Sequence, residues 1–414
     1  MRISHALIQT ALLGAAIVVS TSASAANLSM AQKRTLAVSG NHSPAFNTAA
    51  RFAKRVPGSG YQVLYNFAGG AGDGQSPTAE VTLDSSGNIY GTTEGGGANG
   101  TGVLFKLTSG GSESILHSFG GSGDGTSPDG AVNIDSSGNI FGTTDYGGSG
   151  DNGTIWELAA NGTYSVLHSF ASNEGNFVRG RMLEGKKGNF FGTALFGGVN
   201  GDGTVFEYAN GTLTILHAFN GNDGEFPEHG LATDGKGNAY GATAFGGADD
   251  NGTLYKIASD GTFSTLYNFT GGADGGFIYG AVAADVQGNV YGNTASGGAF
   301  GFGTVFKLSP NGTLTTLYSF TGGTDGGSPE GDMLLAGNYL FSTATSGGDP
   351  SCGCGGVYQI ARGGAEKMLQ AFTPSGGDGY SAGVTASGKL LYGTTAGGGT
   401  NGDGVVFSLK NKTK

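Results

Sequence analysis

The stretch GAVNIDSSGNIFGTTDYGGSGDNGTIWELAANGTYSVLHSF, Gly130 to Phe170, decides how this chain is read. It contains four short segments, GAVNID, NIFGTT, GTIWEL and YSVLHSF, rich in the β-branched and aromatic residues that suit a pleated strand. The links between them are Gly, Asn, Asp and Ser. DSSGN at Asp135 and AANGT at Asn161 are tight-hairpin chemistry, because Gly and Asn tolerate positive φ. None of the four shows a helical period. The segment therefore reads as one four-stranded antiparallel unit.

Working outward, the same unit recurs along the chain, marked by three landmarks. The first is an apolar run ending in Phe, at Phe67, Phe119, Phe170, Phe219, Phe269, Phe320 and Phe372. The second is a small residue inside an aromatic-led strand, at Gly91, Gly142, Gly192, Gly241, Gly292, Ser342 and Gly393. The third is a GTVF-like strand ending at Phe105, Trp156, Phe206, Tyr255, Phe306, Tyr358 and Phe407. Successive copies of the first landmark lie 49 to 52 residues apart. Seven units of this length and strand count predict an all-β fold, a seven-bladed β-propeller of four-stranded blades, rather than a solenoid of shorter repeats. The array opens with a fourth-type strand from Tyr61 to Phe67 and ends with a third-type strand from Gly404 to Leu409. An N-terminal strand that completes the last blade would close the ring and leave no exposed edge. A solenoid would instead need a cap at each end.

The pattern YGTT…GG…GTVF…L…F resembles the tandem GloVer-repeat ("choice-of-anchor") proteins of bacteria, over Tyr61 to Leu409. The resemblance implies export and a propeller-like scaffold, and it transfers no catalytic residue. It also implies a C-terminal surface anchor; after Leu409 only KNKTK is read, with no sorting signal in it.

The ends divide the chain further. Arg2, the apolar run Ala6 to Val19 and Ala23-Ser24-Ala25 read as a signal peptide over residues 1–25. That run is short for a membrane anchor and is soon interrupted by Ser20, Thr21 and Ser22. Residues 26–60 form a basic segment, expected to be flexible, with Lys33, Arg34, Arg51, Lys54 and Arg55 and no acid. The propeller takes residues 61–409 and a short tail 410–414. The formal charge is −11, and setting aside Arg2 and those five residues leaves the rest near −17. So acidic a body excludes nucleic acid, which needs a basic stripe. It admits calcium, glycans and cationic partners. Glycine, 85 of 414 residues, is about three times its usual share, and the 25 Phe and 16 Tyr at regular intervals mark it as turn punctuation, not disorder. Cys352 and Cys354 are the only cysteines, so no disulfide framework supports the fold; they form a local bridge or two thiols. The expected product is exported, extracellular or periplasmic, without a transmembrane segment once mature, and monomeric.

Positions alike in every copy maintain a scaffold, and positions that differ are free for function. His117, His168 and His217 occupy one outer-strand position with Tyr65, Tyr267, Tyr318 and Gln370, and read as packing. The residue at the entry to each innermost strand changes character: Thr78, Asp129, Arg179, Glu228, Tyr279 and Glu330. The next place is small except for His229. These side chains are expected to ring the mouth of the central channel as a polar ligand site. Loop aromatics Tyr146, Phe196 and Phe245, with Phe177, Phe226, Phe277, Phe300 and Phe302 nearby in sequence, suggest faces for sugar rings. A glycan or other cell-envelope component is the favoured ligand. His229, Glu228, Arg179 and Tyr279 are the candidate catalytic group of a lyase or hydrolase on a sugar or acidic substrate, supported only by one imidazole among acids. A structural matrix protein with no small ligand is the third reading. No cofactor is expected. Calcium at Asp73, Asp124, Asp223, Asp274, Asp325 and Asp378, or at Asp249 and Asp250, is the weaker alternative to simple Asp-Gly turns.

Overall fold

In the computed structural model the described residues are 60–411, except 186–187 and 379–380. The residues read as a signal peptide and, except for Gly60, those of the basic segment lie outside them. The described chain forms seven four-stranded antiparallel sheets in a ring, a seven-bladed β-propeller. Blade 2 shows the plan. Asn133–Ile134 is innermost, followed outward by Ile140–Thr144, Thr154–Leu158 and Tyr164–Ser169. The innermost strands are only two or three residues long, and those of blades 1 to 5 have two. Blade 6 adds Gly327–Pro329 beside its second strand.

The ring closes as the chain ends require. Tyr61–Asn66 pairs antiparallel with Val405–Lys410, matching Tyr61 to Leu409 and Val63 to Phe407. Blade 7 is thus built from both ends of the repeat array. Tyr61 packs on Phe407 at 5.3 Å and its hydroxyl donates to the Gly376 carbonyl.

One contact recurs at all seven blade interfaces, and it joins the three landmarks. The Phe that ends a blade meets the third-strand aromatic of the next: Phe67–Phe105, Phe119–Trp156, Phe170–Phe206, Phe219–Tyr255, Phe269–Phe306, Phe320–Tyr358 and Phe372–Phe407. Their ring centroids lie 5.0 to 5.5 Å apart at 57° to 69°. That is the edge-to-face geometry aromatic quadrupoles prefer, and all fourteen rings are at most 1% exposed. Burying each ring contributes about 1.5–3 kcal/mol, before any further gain from the pair. The second landmark makes room. Gly91 sits directly across from Phe105 in the sheet, and a Cβ there would stand 2.6 Å from the Phe105 ring. Blade 6 is the exception, with Ser342 opposite Tyr358. There Asn293 Nδ2 of blade 5 donates to both Ser342 Oγ and Tyr358 Oη, at 3.2 Å each.

The hairpins at the base of the blades are closed by aspartates. Asp84 accepts from the Ser86 and Asn88 amides through Oδ1, and from Asn88 Nδ2 and Tyr90 Oη through Oδ2. Asp135, Asp234 and Asp285 hold equivalent turns. The Asp-Gly carboxylates are likewise engaged. Asp73 accepts from Ala68 N, Gly74 N and Tyr65 Oη, and Asp325 from Thr321 N and Tyr318 Oη. Where the outer-strand residue is His117, His168 or His217, its Nε2 lies 2.8 to 3.0 Å from Asp124, Glu174 or Asp223. Cys352 and Cys354 are joined as a disulfide.

Two consequences can be measured. Gly91→Ala, whose backbone angles suit alanine, is expected to lower the free energy of unfolding by about 1–3 kcal/mol through overpacking against Phe105. Unchanged denaturant stability would show that the close approach is not a constraint. A chain starting after Phe67 leaves Val405–Lys410 as an open edge and is expected to self-associate on a sizing column; a stable monomer would contradict the closure.

Candidate functional site

The site forms where each chain segment turns over the top of a blade and drops toward the axis. The corner residue lies in the left-handed region, with Ser76, Ser127, Phe177, Phe226, Phe277 and Ser328 at φ between 45° and 61°. For phenylalanine this conformation costs about 1–3 kcal/mol, and it persists only where the surroundings enforce it. Two backbone bonds do so. The corner N–H donates to a loop carbonyl of the preceding blade, as Phe226 to Asp202 at 2.9 Å and Phe277 to Asn251 at 2.9 Å. The corner C=O accepts from the residue after the second strand, as from Asp145 N to Ser127 O at 3.1 Å. The corner therefore fixes both the residue two places on, at the strand entry, and its neighbour after the second strand. In blade 2 these are Asp129 and Asp145.

Around the axis the entry residues converge. Thr78, Asp129, Arg179, Glu228, Tyr279 and Glu330 are all buried, from 1% exposed for Glu228 to 9% for Glu330. Arg179 Nε donates to Asp145 Oδ2 at 2.9 Å and lies 3.3 Å from Asp129 Oδ2, while its Nη2 is 2.9 Å from Asp145 Oδ2. The guanidinium also stacks over Phe177, 5.7 Å from the ring centre. Despite burial Arg179 is held charged by Asp145, Asp129 and Glu228. Glu228 is different. Neither of its carboxylate oxygens has a hydrogen-bond partner, and Arg179 Nη1, Asp145 Oδ1 and Thr78 Oγ1 also lack one. Burial pushes Glu228 up to about 7, against the pull of Arg179 and His229. Burial, then the nearby Glu228, pushes Glu330 up to about 8. Burial outweighs Arg179 at Asp145, which rises to about 7. Burial also pushes the Tyr279 phenol well above its ordinary value.

A second tier of side chains pairs across the axis between non-adjacent blades. His229 Nδ1 of blade 4 donates to Asp332 Oδ1 of blade 6 at 3.0 Å, skipping blade 5. Arg181 of blade 3 reaches blade 1, donating to Thr82 Oγ1 at 2.9 Å and to the Val81 carbonyl at 3.3 Å, with Glu80 Oε2 at 3.9 Å. Asp332 also accepts from Ala281 N at 2.6 Å. Burial disfavours the His229 imidazolium, but Asp332 and then Glu228 win, raising it to about 9. Glu80 is pushed up to about 8 by burial and by Asp332.

Of the residues singled out in the sequence, the structure brings Asp129, Arg179, Glu228, His229, Tyr279 and Glu330 together. The aromatics require correction. Phe245 is fully buried and Phe196 is 7% exposed, so neither offers a face to a sugar. They belong to an arc, Tyr146–Phe177–Phe196–Phe226–Phe245–Phe277, with successive centroids 4.4 to 5.8 Å apart. This arc is the core beneath the loops of blades 2 to 5, and only Tyr146, Phe177 and Phe277 keep partial exposure. Phe300 and Phe302 do stand exposed. Sequence reasoning missed Asp145, Glu80, Arg181 and Asp332. The signal was present: two places past the entry, Glu80, Arg181 and Asp332 stand where other copies have Ala131, Gly230 and Ala281. Among the described residues no three His, Cys, Asp or Glu side chains are grouped to hold a metal ion. Nor is any helix there long and apolar enough to cross a membrane.

These features define a seven-bladed propeller whose axis carries a buried polar cluster that varies between blades. The chain belongs to the Gloeobacter/Verrucomicrobia repeat family, whose model matches residues 38–244 and 228–414. No curated protein is similar to it in sequence. Among solved structures, streptogramin B lyase is similar over 81% of this chain and 94% of its own, at 14% identity and TM-score 0.56. The extracellular domain of a hybrid two component system of B. thetaiotaomicron is similar over 85% of this chain, at 13% identity and TM-score 0.53. That of a one component system from the same organism is similar over 82%, at 15% identity and TM-score 0.50. The chain spans 41% and 39% of those two domains. At such identities the likeness is one of fold.

The buried carboxyls set the pH dependence of stability. Folded Glu228, Asp145, Glu330 and Glu80 keep protons to about 7 or 8 that the unfolded chain releases near pH 4. Folded His229 keeps its proton to about 9, whereas the unfolded imidazole loses it near 6.5. Both effects lower stability as pH rises. The turn residues Asp84, Asp135 and Asp285 behave oppositely. Burial opposes their charge, but hydrogen bonds led by Asn88, Asn139 and Asn289 overcome it and hold them low, so stability also falls in strong acid. The melting temperature is expected to peak near pH 4 and to decline toward pH 9. The decline should be shallower in Glu228→Gln/Glu330→Gln; a flat wild-type profile would contradict the assignment.

Proposed function

We propose that this protein is an exported, surface- or envelope-associated binding protein whose loop face recognises a glycan or other polar ligand at the mouth of the axis. The observation that carries this reading is the Glu228 carboxylate, 1% exposed and unpartnered at both oxygens, beside Arg179 with an unpartnered Nη1. A buried carboxyl without hydrogen-bond partners is costly, charged or protonated, in a scaffold that needs none there. Such a cost is explained when a ligand supplies the missing hydrogen bonds. Because the entry side chains are at most 9% exposed, the axis takes a projecting group of the ligand, with the rest lying across the loops. The export signal read in the sequence and the fold shared with extracellular domains support the location.

A propeller lyase or hydrolase is the second reading, favoured by Glu228, whose value of about 7 suits an acid–base group. His229 serves it poorly, since its ion pair with Asp332 keeps the ring protonated at neutral pH and unfit as a base.

The test is a glycan-array screen of the mature protein, with and without calcium, repeated with Glu228→Gln. Retention of a polysaccharide that is lost in the variant, with the melting curve intact, is the expected result. Failure to bind any polysaccharide would overturn the reading in favour of a matrix protein. Turnover abolished in Glu228→Gln would replace it with the enzyme.

A further inference from the structure

The unpartnered atoms on the axis specify what the inserted group must be, given that the mouth is a glycan site. Glu228 offers two oxygens and Asp145 offers Oδ1, three carboxylate acceptors without a hydrogen bond. Thr78 Oγ1 can act either way, Arg179 Nη1 is the unsatisfied charged donor of the entry ring, and Arg181 Nε is a second one in the other tier. The demand is therefore for a group with several donors. Charge gives the same answer. Asp129, Asp145, Glu228 and Glu330 surround the mouth, and Arg179, already bonded to Asp145 and close to Asp129, is the cation of that tier. The lower-tier cations are engaged elsewhere, His229 with Asp332 and Arg181 with Thr82 and Val81.

Candidate groups differ in how they meet this demand. A hydroxyl brings one donor and no charge. An acetamide brings one donor and a carbonyl that would face the carboxylates. A divalent cation needs clustered ligands, which the described residues do not provide. An alkylammonium brings three donors, no acceptor and a positive charge, and its bonds to carboxylate are about twice as strong as neutral ones.

We propose that the axis of this propeller recognises a protonated primary amine, and that its glycan ligand is an amino sugar polymer or oligomer whose amines are free rather than acylated. The inference rests on the binding reading above and goes beyond it by naming the group bound at Glu228. Burial raises Glu228 and Glu330 in the empty site, and a bound ammonium would favour their charged forms, so the ligand relieves a frustration built into the mouth.

The experiment compares three β-1,4-linked tetrasaccharides that differ only at C2: glucosamine, N-acetylglucosamine and glucose oligomers. Affinities are measured by calorimetry at pH 6 for the mature protein and for Glu228→Gln, with melting curves confirming the fold. Tetralysine serves as an amine without a sugar. The expected result is that the glucosamine oligomer binds about tenfold or more tighter than the other two, and that Glu228→Gln removes the difference. Tetralysine is expected to bind more weakly than the glucosamine oligomer. Equal binding of all three sugars would overturn the amine assignment and leave the glycan reading standing. Tetralysine binding as tightly as the glucosamine oligomer would overturn the amino-sugar assignment. A preference retained in Glu228→Gln would place the amine elsewhere and overturn the proposal. No binding of any oligomer would overturn it too, and the array screen then decides whether the glycan reading falls with it.

Discussion

Everything in this molecule depends on one edge-to-face contact made seven times. The terminal Phe of each blade meets the third-strand aromatic of the next at nearly constant distance, and the second-strand glycine leaves the space that ring occupies. Seven equal interfaces impose equal rotations, and equal rotations close only if the last blade finds the first. The Tyr61–Asn66 strand satisfies that condition by pairing with Val405–Lys410. A chain whose stability resides in the blade interfaces has no need of a varied core, and this one repeats the same three positions throughout.

That uniformity is what leaves the axis available. The left-handed corner and its backbone bonds deliver one side chain to the mouth in each of blades 1 to 6, whatever its chemistry. The scaffold is indifferent to whether Thr78, Arg179 or Tyr279 stands there, so these positions can be taken up by function. The second tier crosses the axis by ion pairs that skip a blade, His229 to Asp332 and Arg181 toward Glu80. The mouth thus lies next to a tier of ion pairs that cross the axis.

The scaffold was almost wholly legible in the sequence because it is periodic. Landmarks that recur at 49 to 52 residues need no tertiary information to be recognised, and the two chain ends revealed the closure by the strand types they supply. The site was half legible. Variation at the entry position singled out Arg179, Glu228 and Glu330, since a difference between copies is visible without a fold. Asp145 was not found, because only the corner hydrogen bond places the residue after the second strand beside the entry residue. Asp332 was missed because its partner lies two blades away. The loop aromatics misled for the reverse reason. Phe196 and Phe245 lie in sequence where loops are exposed, but neighbouring corners bring Phe177, Phe226 and Phe277 over them and turn a surface into a core. Periodicity reports on neighbours along the chain and between like positions, and both failures concern unlike positions brought together.

The central claim is that the scaffold leaves Glu228 unsatisfied and that a bound group completes it. A high-resolution crystal structure of the mature protein soaked with an amino sugar oligomer tests this most directly. The account predicts ordered density on the axis, with a donor about 3 Å from each Glu228 oxygen and an acceptor within reach of Arg179 Nη1. Glu228 oxygens saturated by protein donors, with the oligomer bound away from the axis or not at all, would contradict it.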